Sequence, residues 1–198
     1  GRDKKFRIVG PKGTKEFFQN ILKAFKNELQ GRVEWEQRPN KDGLDYEITE
    51  IDSDYAYKNF DLEIIPFEVD HYPVEPAYGY QIKVLDTVKE KKVVISGDTR
   101  KNENLINHAM DADALVHEVF INLEFDENRM SKKTISNVRD YHTSPKEIGE
   151  IAKAANVKKL ILTHFVPPVF DEDFLTKEIR ESYKGNVIIG EDLLTIEI

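Results

Sequence analysis

Residues 141–164, YHTSPKEIGEIAKAANVKKLILTH, contain the pattern that decides the fold. Residues 144–147, SPKE, combine a helix N-cap, a proline at the first helical position and a glutamate three residues after the cap, and this combination predicts the start of a helix. Apolar residues then recur at helical spacing, so we predict that a helix over 144–155 buries one face. Residues 158–162, KKLIL, predict a strand directly afterwards, and this alternation is typical of an α/β domain.

Strands and helices alternate on both sides of this stretch. We predict further strands at residues 6–9, 46–49, 62–69, 78–85, 92–96, 114–116, 187–189 and 193–198, and further helices at 14–31, 102–110 and 171–183. The sequence therefore predicts one domain of the α/β (α+β) class over residues 1–198. Pro66 predicts that the strand at 62–69 lies at a sheet edge or carries a bulge, because proline cannot donate to the hydrogen-bond ladder.

The first helix has clear predicted ends and a predicted inner face. Thr14 is expected to cap it and Gly31 to end it. Four apolar residues recur four positions apart and are expected to face the core: Phe17, Ile21, Phe25 and Leu29.

The composition excludes several classes of protein. The 198 residues include 29 Lys and Arg against 37 Asp and Glu, a formal net charge of −8. This charge excludes a protein whose whole surface binds nucleic acid, because neutralising phosphate groups requires basic residues. Cysteine is absent, so disulfides and thiolate metal sites are excluded, and any metal must be held by His, Asp and Glu. No apolar run reaches the roughly 18–20 residues that a membrane span requires, so no membrane partner is expected.

Polar side chains of metal-ligand type follow the predicted strands. Four lie at or just after strand ends, and the fifth directly precedes the helix at 144–155: His71, Asp98, His117, His164 and His142. Loops after strands present side chains from a fixed backbone, which is how α/β folds build their sites. A single histidine in such a place is more often structural. Five such groups indicate a metal site or an acid–base site, because imidazole and carboxylate suit zinc, manganese and iron.

Five segments, taken in order, resemble the metallo-β-lactamase superfamily in its ribonuclease Z-like branch of phosphodiesterases. They are VGPKG at 9–13, DH at 70–71 with YGY at 78–80, ISGDT at 95–99, LVHE at 115–118, and HTS at 142–144 continuing to LTH at 162–164. Each segment alone is weak, but their order and separations together are specific and cover nearly the whole chain. The resemblance implies the αββα sandwich of the metallo-β-lactamase fold and a metal-dependent hydrolase that acts on phosphodiesters.

The resemblance also implies roles for individual residues. His71 matches a ligand to one metal ion of a dinuclear site, Asp98 matches the carboxylate that bridges the two ions, and His164 matches a ligand to the second ion. His142 matches the histidine that contacts the scissile phosphate and helps to protonate the leaving group, and Glu118 matches the carboxylate that orients it. Two divalent ions are therefore expected, zinc first, with manganese and iron as alternatives.

Four further residues lie near these positions in the sequence or share their chemistry. Thr143 and Ser144 follow the predicted catalytic histidine, and we expect them to bind substrate. We interpret His117 as a structural residue of its strand. We interpret His108, on a short polar helix, as a surface residue.

Two features of the chain depart from the family pattern. The ligand motif His-x-His-x-Asp-His is absent from the 198 residues, so we expect the chain to be the C-terminal part of a longer hydrolase, with the N-terminal part of the sandwich missing. The Arg-Tyr pair that usually follows the last histidine in ribonuclease Z enzymes is replaced by FVPP at 165–168. With the net charge of −8, RNA, a smaller phosphodiester and a sulfate ester all stay open as substrates.

Two readings without catalysis also stay open. The chain can be an inactive half-domain that serves as an interaction or regulatory module, including as a homodimer, and the absent ligand motif favours this. It can also be a nucleic-acid-binding module without chemistry, although its basic clusters are of the size usual for solvated faces. The cytoplasm is the expected compartment, with an exported form as the alternative.

Overall fold

The chain divides into two units, Gly1–Asp54 and Tyr55–Ile198, in a computed structural model that describes residues 4–37, 45–51, 55–85, 90–121 and 130–198. The single domain over residues 1–198 stays a prediction. None of the described helices is long and apolar enough to cross a membrane.

The smaller unit contains two paired strands and the two helices that connect them. Strand β1 (Phe6–Gly10) lies parallel to β2 (Tyr46–Glu50), so the strands predicted at 6–9 and 46–49 are confirmed. Helices α1 (Thr14–Ala24) and α2 (Lys26–Glu36) connect them, and the prediction of one helix over 14–31 is wrong because the chain leaves helical geometry at Phe25, where φ is −95° and ψ is 8°.

The start and the faces of α1 also differ from the predictions. The cap position is Gly13, and the Glu50 carboxylate accepts hydrogen bonds from the backbone N–H groups of Gly13 and Lys15 at 2.9 and 3.0 Å, which satisfies two of the free N–H groups at the start of the helix. The predicted inner face is open, because Phe17 is 67% and Phe25 55% exposed. Gly31 lies inside α2 and does not end a helix.

Within the described residues, a seven-stranded sheet forms the larger unit. Its strands follow one another in the sheet in chain order: β3 (Tyr57–Lys58), β4 (Leu62–Val69), β5 (Ala77–Val84), β6 (Lys91–Ile95), β7 (Ala114–Phe120), β8 (Lys159–Val166) and β9 (Asn186–Ile189). Neighbouring strands are antiparallel from β3 to β6 and parallel from β6 to β9. The predicted mixed α/β class is therefore confirmed.

Helices of the larger unit cover this sheet and close its core. They are α3 (Glu103–Ala109), α4 (Lys132–Asp140), α5 (Pro145–Ala154) and α6 (Glu172–Arg180). The core joins apolar residues of α3, α5 and α6 to β6, β7 and β8, with Leu105, Leu115, Ile151, Leu160 and Ile179 among its fully buried side chains. The capping box at the start of α5 is formed as predicted.

Two details of the sheet bear on the predictions. Residues 193–198 form no strand, contrary to prediction, because Leu193 takes a left-handed φ of 68°, which interrupts an extended chain. β3 pairs with β4 only opposite Glu63 and Ile64. Among the described residues, no strand pairs with β4 on that side at Pro66, so Pro66 occupies an edge position, where proline is tolerated.

Candidate active site

The ends of four strands meet at one edge of the larger sheet. Because β5 is antiparallel to both β4 and β6, β4 runs in the same direction as β6, and β7 and β8 are parallel to β6. The carboxyl ends of β4, β6, β7 and β8 therefore share an edge. His71 and Asp98 lie just past β4 and β6, and His164 lies near the end of β8.

Three side chains from separate parts of the chain converge at this edge. Asp98, His142 and His164 each offer a ligand atom, and these atoms all lie within 4.8 Å of one another. His164 Nε2 is 3.5 Å from Asp98 Oδ2, and the two side chains are about half exposed, at 50% and 42%. Two imidazoles and a carboxylate within this distance are a donor set that fits a zinc, manganese or iron ion.

A β-bulge places His164 in the cluster. The pairing of β7 with β8 shifts between Glu118 and Val119, whose partners are Thr163 and Phe165, so His164 is the extra residue. It has a left-handed φ of 45°, which is uncommon for a residue with a side chain and clusters at functional sites. The bulge turns the side chain away from the regular alternation of the strand.

A tight turn places Asp98. The preceding residue, Gly97, has a φ of 62°, and a Cβ atom there would lie 2.6 Å from the Tyr78 carbonyl oxygen. Glycine is thus required both for the left-handed backbone and for the close approach of β5. The turn brings the Asp98 carboxylate to the sheet edge immediately after β6.

A buried carboxylate faces the ring of His142. Glu118 Oε2 lies 3.2 Å from His142 Nδ1, with only 2% and 6% of the two side chains exposed. The other carboxylate oxygen, Oε1, accepts hydrogen bonds from the backbone N–H groups of Thr143 at 2.9 Å and Thr99 at 3.4 Å. Glu118 Oε2 and His142 Nδ1 are close but not aligned for a hydrogen bond.

His71 is oriented by the residue that directly precedes His142 in the chain. Its Nδ1 lies 2.9 Å from the Tyr141 carbonyl oxygen, and its ring centre is 5.3 Å from that of His142. A carbonyl oxygen can only accept, so the ring donates from Nδ1 and its other nitrogen, Nε2, is not used by this bond. Metal-binding histidines are usually oriented by this kind of bond, although His71 is outside the three-residue cluster.

The chain is similar to known proteins over most of its length. The model of the beta-lactamase superfamily domain matches residues 2–165. Ribonuclease Z of Mycobacterium bovis (strain BCG / Pasteur 1173P2) is 30% identical over 194 residues, covering 96% of this chain and 66% of that protein. Ribonuclease Z of Mycobacterium tuberculosis (strain H37Ra) is also 30% identical, over 96% of this chain and 68% of that protein.

Solved structures show the same fold. The metallo-beta-lactamase fold protein YhfI from Bacillus subtilis superimposes with a TM-score of 0.64 and 22% identity, covering 96% of this chain and 64% of that chain. The short form of human tRNase Z gives a TM-score of 0.61 and 20% identity, covering 100% of this chain and 69% of that chain. This chain belongs to the metallo-β-lactamase superfamily, in its ribonuclease Z-like branch. It spans about two thirds of the length of its ribonuclease Z relatives, at 66% and 68%.

The structure of this metallo-β-lactamase chain brings together five residues singled out from its sequence. His71, Asp98, His142 and His164 lie at one sheet edge, and Glu118 lies behind His142. Their individual roles stay predictions.

Thr143 and Ser144 have hydrogen-bond partners within the fold. The Thr143 side chain is fully buried and its hydroxyl donates to the Thr99 carbonyl oxygen at 2.5 Å. The Ser144 hydroxyl donates to the Glu147 carboxylate, also at 2.5 Å, and accepts from the Glu147 backbone N–H. These hydroxyl groups have structural partners, and the expected contact of the two residues with substrate stays a prediction.

The two remaining histidines lie outside the site. His117 is fully buried and burial lowers its pKa, opposed by the charge and backbone carbonyl of Glu118, which agrees with a structural role. The interpretation of His108 as a surface residue is wrong. Its ring stacks on Phe67 at a centroid distance of 4.1 Å, and burial, with the nearby Lys92 charge, lowers its pKa. Phe67, on β4, therefore covers one face of the His108 ring on α3.

Sequence reasoning missed one cationic residue beside the site. Arg100 forms ion pairs with Asp70 at 2.6 Å and Asp140 at 3.0 Å. Partial burial opposes its charge, but the bonds and charges of Asp140 and Asp70 raise the pKa of Arg100 above its ordinary value. Its partners lie 30 and 40 residues away in the sequence, so no local motif indicates the contact.

Proposed function

We propose that this chain provides the catalytic edge of a metal-dependent phosphodiesterase of the ribonuclease Z type. The observation that carries the proposal is the convergence of Asp98, His142 and His164 within 4.8 Å at the carboxyl ends of the strands. The ribonuclease Z relatives, 30% identical over 96% of the chain, favour an RNA phosphodiester as the substrate. Because the chain spans about two thirds of their length, the activity of the whole protein is part of the proposal.

The donor set supports two divalent ions, zinc first. Asp98 and His164 would hold one ion, and His71, whose Nδ1 is taken by the Tyr141 carbonyl oxygen, would hold the other through Nε2 and share the Asp98 carboxylate. When bound, such ions would supply a Lewis acid for the phosphoryl oxygen and acidify a water molecule. Because His-x-His-x-Asp-His is absent from these 198 residues, each ion would have fewer than the three protein ligands usual for catalytic zinc, and we expect weak binding.

His142 is proposed as the proton donor to the leaving oxygen. Its Nδ1 faces the buried Glu118 carboxylate at 3.2 Å, which favours a proton on that nitrogen and orients the ring. Backbone N–H groups fix the carboxylate on its other oxygen. Glu118 therefore acts through His142, as a positioning residue.

Metal content of the purified chain tests the proposed ligand roles. We expect zinc or manganese to bind to the 198-residue chain, and Asp98→Ala or His164→Ala to reduce that binding by about tenfold or more, because each removes a ligand. His142→Gln should keep the metal and reduce turnover of bis(4-nitrophenyl) phosphate and of short RNA, by about 100-fold. His108→Gln, outside the site, is the matched control and should behave as the wild type.

The results also separate the competing roles. Loss of metal in His142→Gln would make His142 a ligand, contrary to the proposal. A wild-type chain without metal or turnover would contradict the proposed activity and favour the inactive interaction module. Turnover of a sulfate ester, but not of phosphodiesters, would contradict the substrate class alone.

A further inference from the structure

Three loops at the sheet edge meet at one guanidinium group. Arg100 Nη1 donates to Asp70 Oδ1 at 2.6 Å, while Nη2 donates to Asp140 Oδ2 at 3.0 Å and to the Tyr72 carbonyl oxygen at 3.1 Å. One side chain therefore contacts the loop after β4 at two points and the end of α4 at a third. Its own backbone belongs to the loop after β6.

Hydrogen bonds to the Asp70 carbonyl oxygen also join the loop after β6 to the loop after β4. The Arg100 N–H donates to the Asp70 carbonyl oxygen at 2.8 Å, and the Thr99 hydroxyl donates to the same oxygen at 3.2 Å. The loops after β4 and β6 thus touch directly beyond the start of β5, and the Arg100 side chain extends this contact toward α4.

Each of the three loops carries a residue of the site. Asp70 directly precedes His71, Arg100 follows Asp98 by two positions, and Asp140 precedes His142 by two. Between Asp140 and His142 lies Tyr141, whose carbonyl oxygen holds His71 Nδ1. Movement of any one loop would therefore change the spacing of the site residues on the other two.

We propose that Arg100 is a positioning residue that sets the distances among His71, Asp98 and His142. This inference depends on the proposed function, since it assigns Arg100 to the geometry of that site. Arginine suits the task because its planar fork donates in fixed directions to several acceptors at once, whereas a lysine ammonium at the same place is a point charge on a flexible stem.

The exposure of the ion pairs separates this role from general stabilisation. The Asp70 and Asp140 side chains are 53% and 76% exposed and the Arg100 side chain is 25% exposed, and ion pairs whose acidic partners lie in solvent contribute little to the free energy of unfolding. Loss of the Arg100 side chain should therefore loosen the three loops and leave the sheet intact.

Two measurements on the full 198-residue chain test the inference. The first is hydrogen exchange without metal, followed at the backbone N–H groups of Arg100 and His142. In Arg100→Gln we expect exchange at these groups to accelerate about tenfold while β7 and β8 are unaffected. The second is zinc binding measured against a competing chelator, which should weaken about tenfold in Arg100→Gln. Arg100→Lys should lie between the variant and the wild type in both measurements.

The neighbouring residue supplies a matched control. Lys101 forms an ion pair with Glu150 on α5 at 2.6 Å, with side chains 35% and 38% exposed. Lys101→Gln therefore removes a cation of similar exposure from the same loop without touching Asp70 or Asp140, and it should match the wild type in both measurements.

Each other result has a definite meaning. Unchanged exchange in Arg100→Gln would overturn the connection between the loops. Faster exchange with unchanged zinc affinity would overturn the positioning role and leave Arg100 as a structural residue only. A wild-type chain that binds no zinc would contradict the proposed function and, with it, this role for Arg100, whereas failure of the inference alone shows as wild-type affinity in the variant.

Discussion

His117 lies inside the larger sheet as a neutral imidazole. Its Nδ1 is 2.6 Å from the Glu118 carbonyl oxygen, which can only accept, so this nitrogen carries the proton. Its Nε2 is buried and has no hydrogen-bond partner among the described residues. Burial lowers the pKa of His117, so the folded chain resists protonation at a pH where the unfolded chain, with a histidine pKa near 6.5, accepts a proton.

The stability of the chain should therefore fall with acid in a way that depends on His117. Since the pKa is lower in the folded state, the contribution is complete above about pH 6.5 and is lost as the pH falls toward the folded-state pKa, by up to about 1.4 kcal/mol per pH unit. His117→Gln removes the titrating group, so its free energy of unfolding should fall less steeply between about pH 6.5 and 5. Urea unfolding at several pH values measures both profiles, and parallel profiles would contradict the prediction.

Individual site residues were predictable where a strand end marks them. His71, Asp98 and His164 each follow an apolar run, and parallel strand directions bring such positions to one edge. The contacts that orient them were not predictable. The Tyr141 carbonyl beside His71 is a backbone group that every residue has, and the Arg100 ion pairs join loops far apart in sequence.

Helices α5 and α6 approach closely at Gly149. A Cβ atom on Gly149 would lie 2.4 Å from the Ile179 carbonyl oxygen, a distance that backbone atoms cannot accommodate without separating the helices. Gly149→Ala should therefore destabilise the chain by about 1–3 kcal/mol, although alanine is intrinsically the better helix residue by roughly 1 kcal/mol. Urea unfolding at neutral pH measures the change.

Gly31 is the control for this substitution. It also lies inside a helix, α2, but a Cβ atom there would meet no atom within 4 Å. Gly31→Ala should raise or preserve stability, within about 0.5–1 kcal/mol. Equal losses in the two variants would show that close helix packing is not what limits Gly149.

The predictability of whole elements depended on local signals. The start of α5 was predicted correctly because its proline and capping box act within four residues. The break between α1 and α2 carries no proline, and the cap of α1 is a carboxylate 37 residues away, Glu50. Helix α4 was missed, although Ser131 accepts a hydrogen bond from the Thr134 N–H as its N-cap and serine is a readable cap signal.

The two units of the chain differ in how much they bury. Neither α1 nor α2 contains a buried residue, whereas α3, α5 and α6 contribute to a continuous core. Segments with few buried apolar contacts open more often, so trypsin should cut at Lys23, Lys26 or Arg32 about tenfold faster than at Lys146 or Lys153 in α5.

A time course of limited proteolysis, read by mass spectrometry, checks this expectation. Products that retain residues 145–180 while those in 14–36 are lost would agree with it. Early cleavage within α5 would contradict it, because that helix would then open as readily as the helices of the smaller unit.

At the scale of the molecule, the α/β class and the superfamily could be read from the sequence. Alternating strand and helix signals gave the class, and the order of five short segments led to the family, which the match over residues 2–165 confirms. The division into two units could not be read, since the composition does not change visibly near residue 54 and the division arises from which residues touch.

Two of the candidate donors, His71 and Asp98, lie in loops just beyond the hydrogen-bond ladder, and this placement has an evolutionary consequence. Loops at this edge can lengthen, shorten or change composition while the strand pairing and the core beneath them persist, because the core residues lie within the strands and helices. Substrate preference can thus diverge among proteins that descend from one ancestral fold. Selection can change the other residues of these loops while the candidate donors are inherited unchanged.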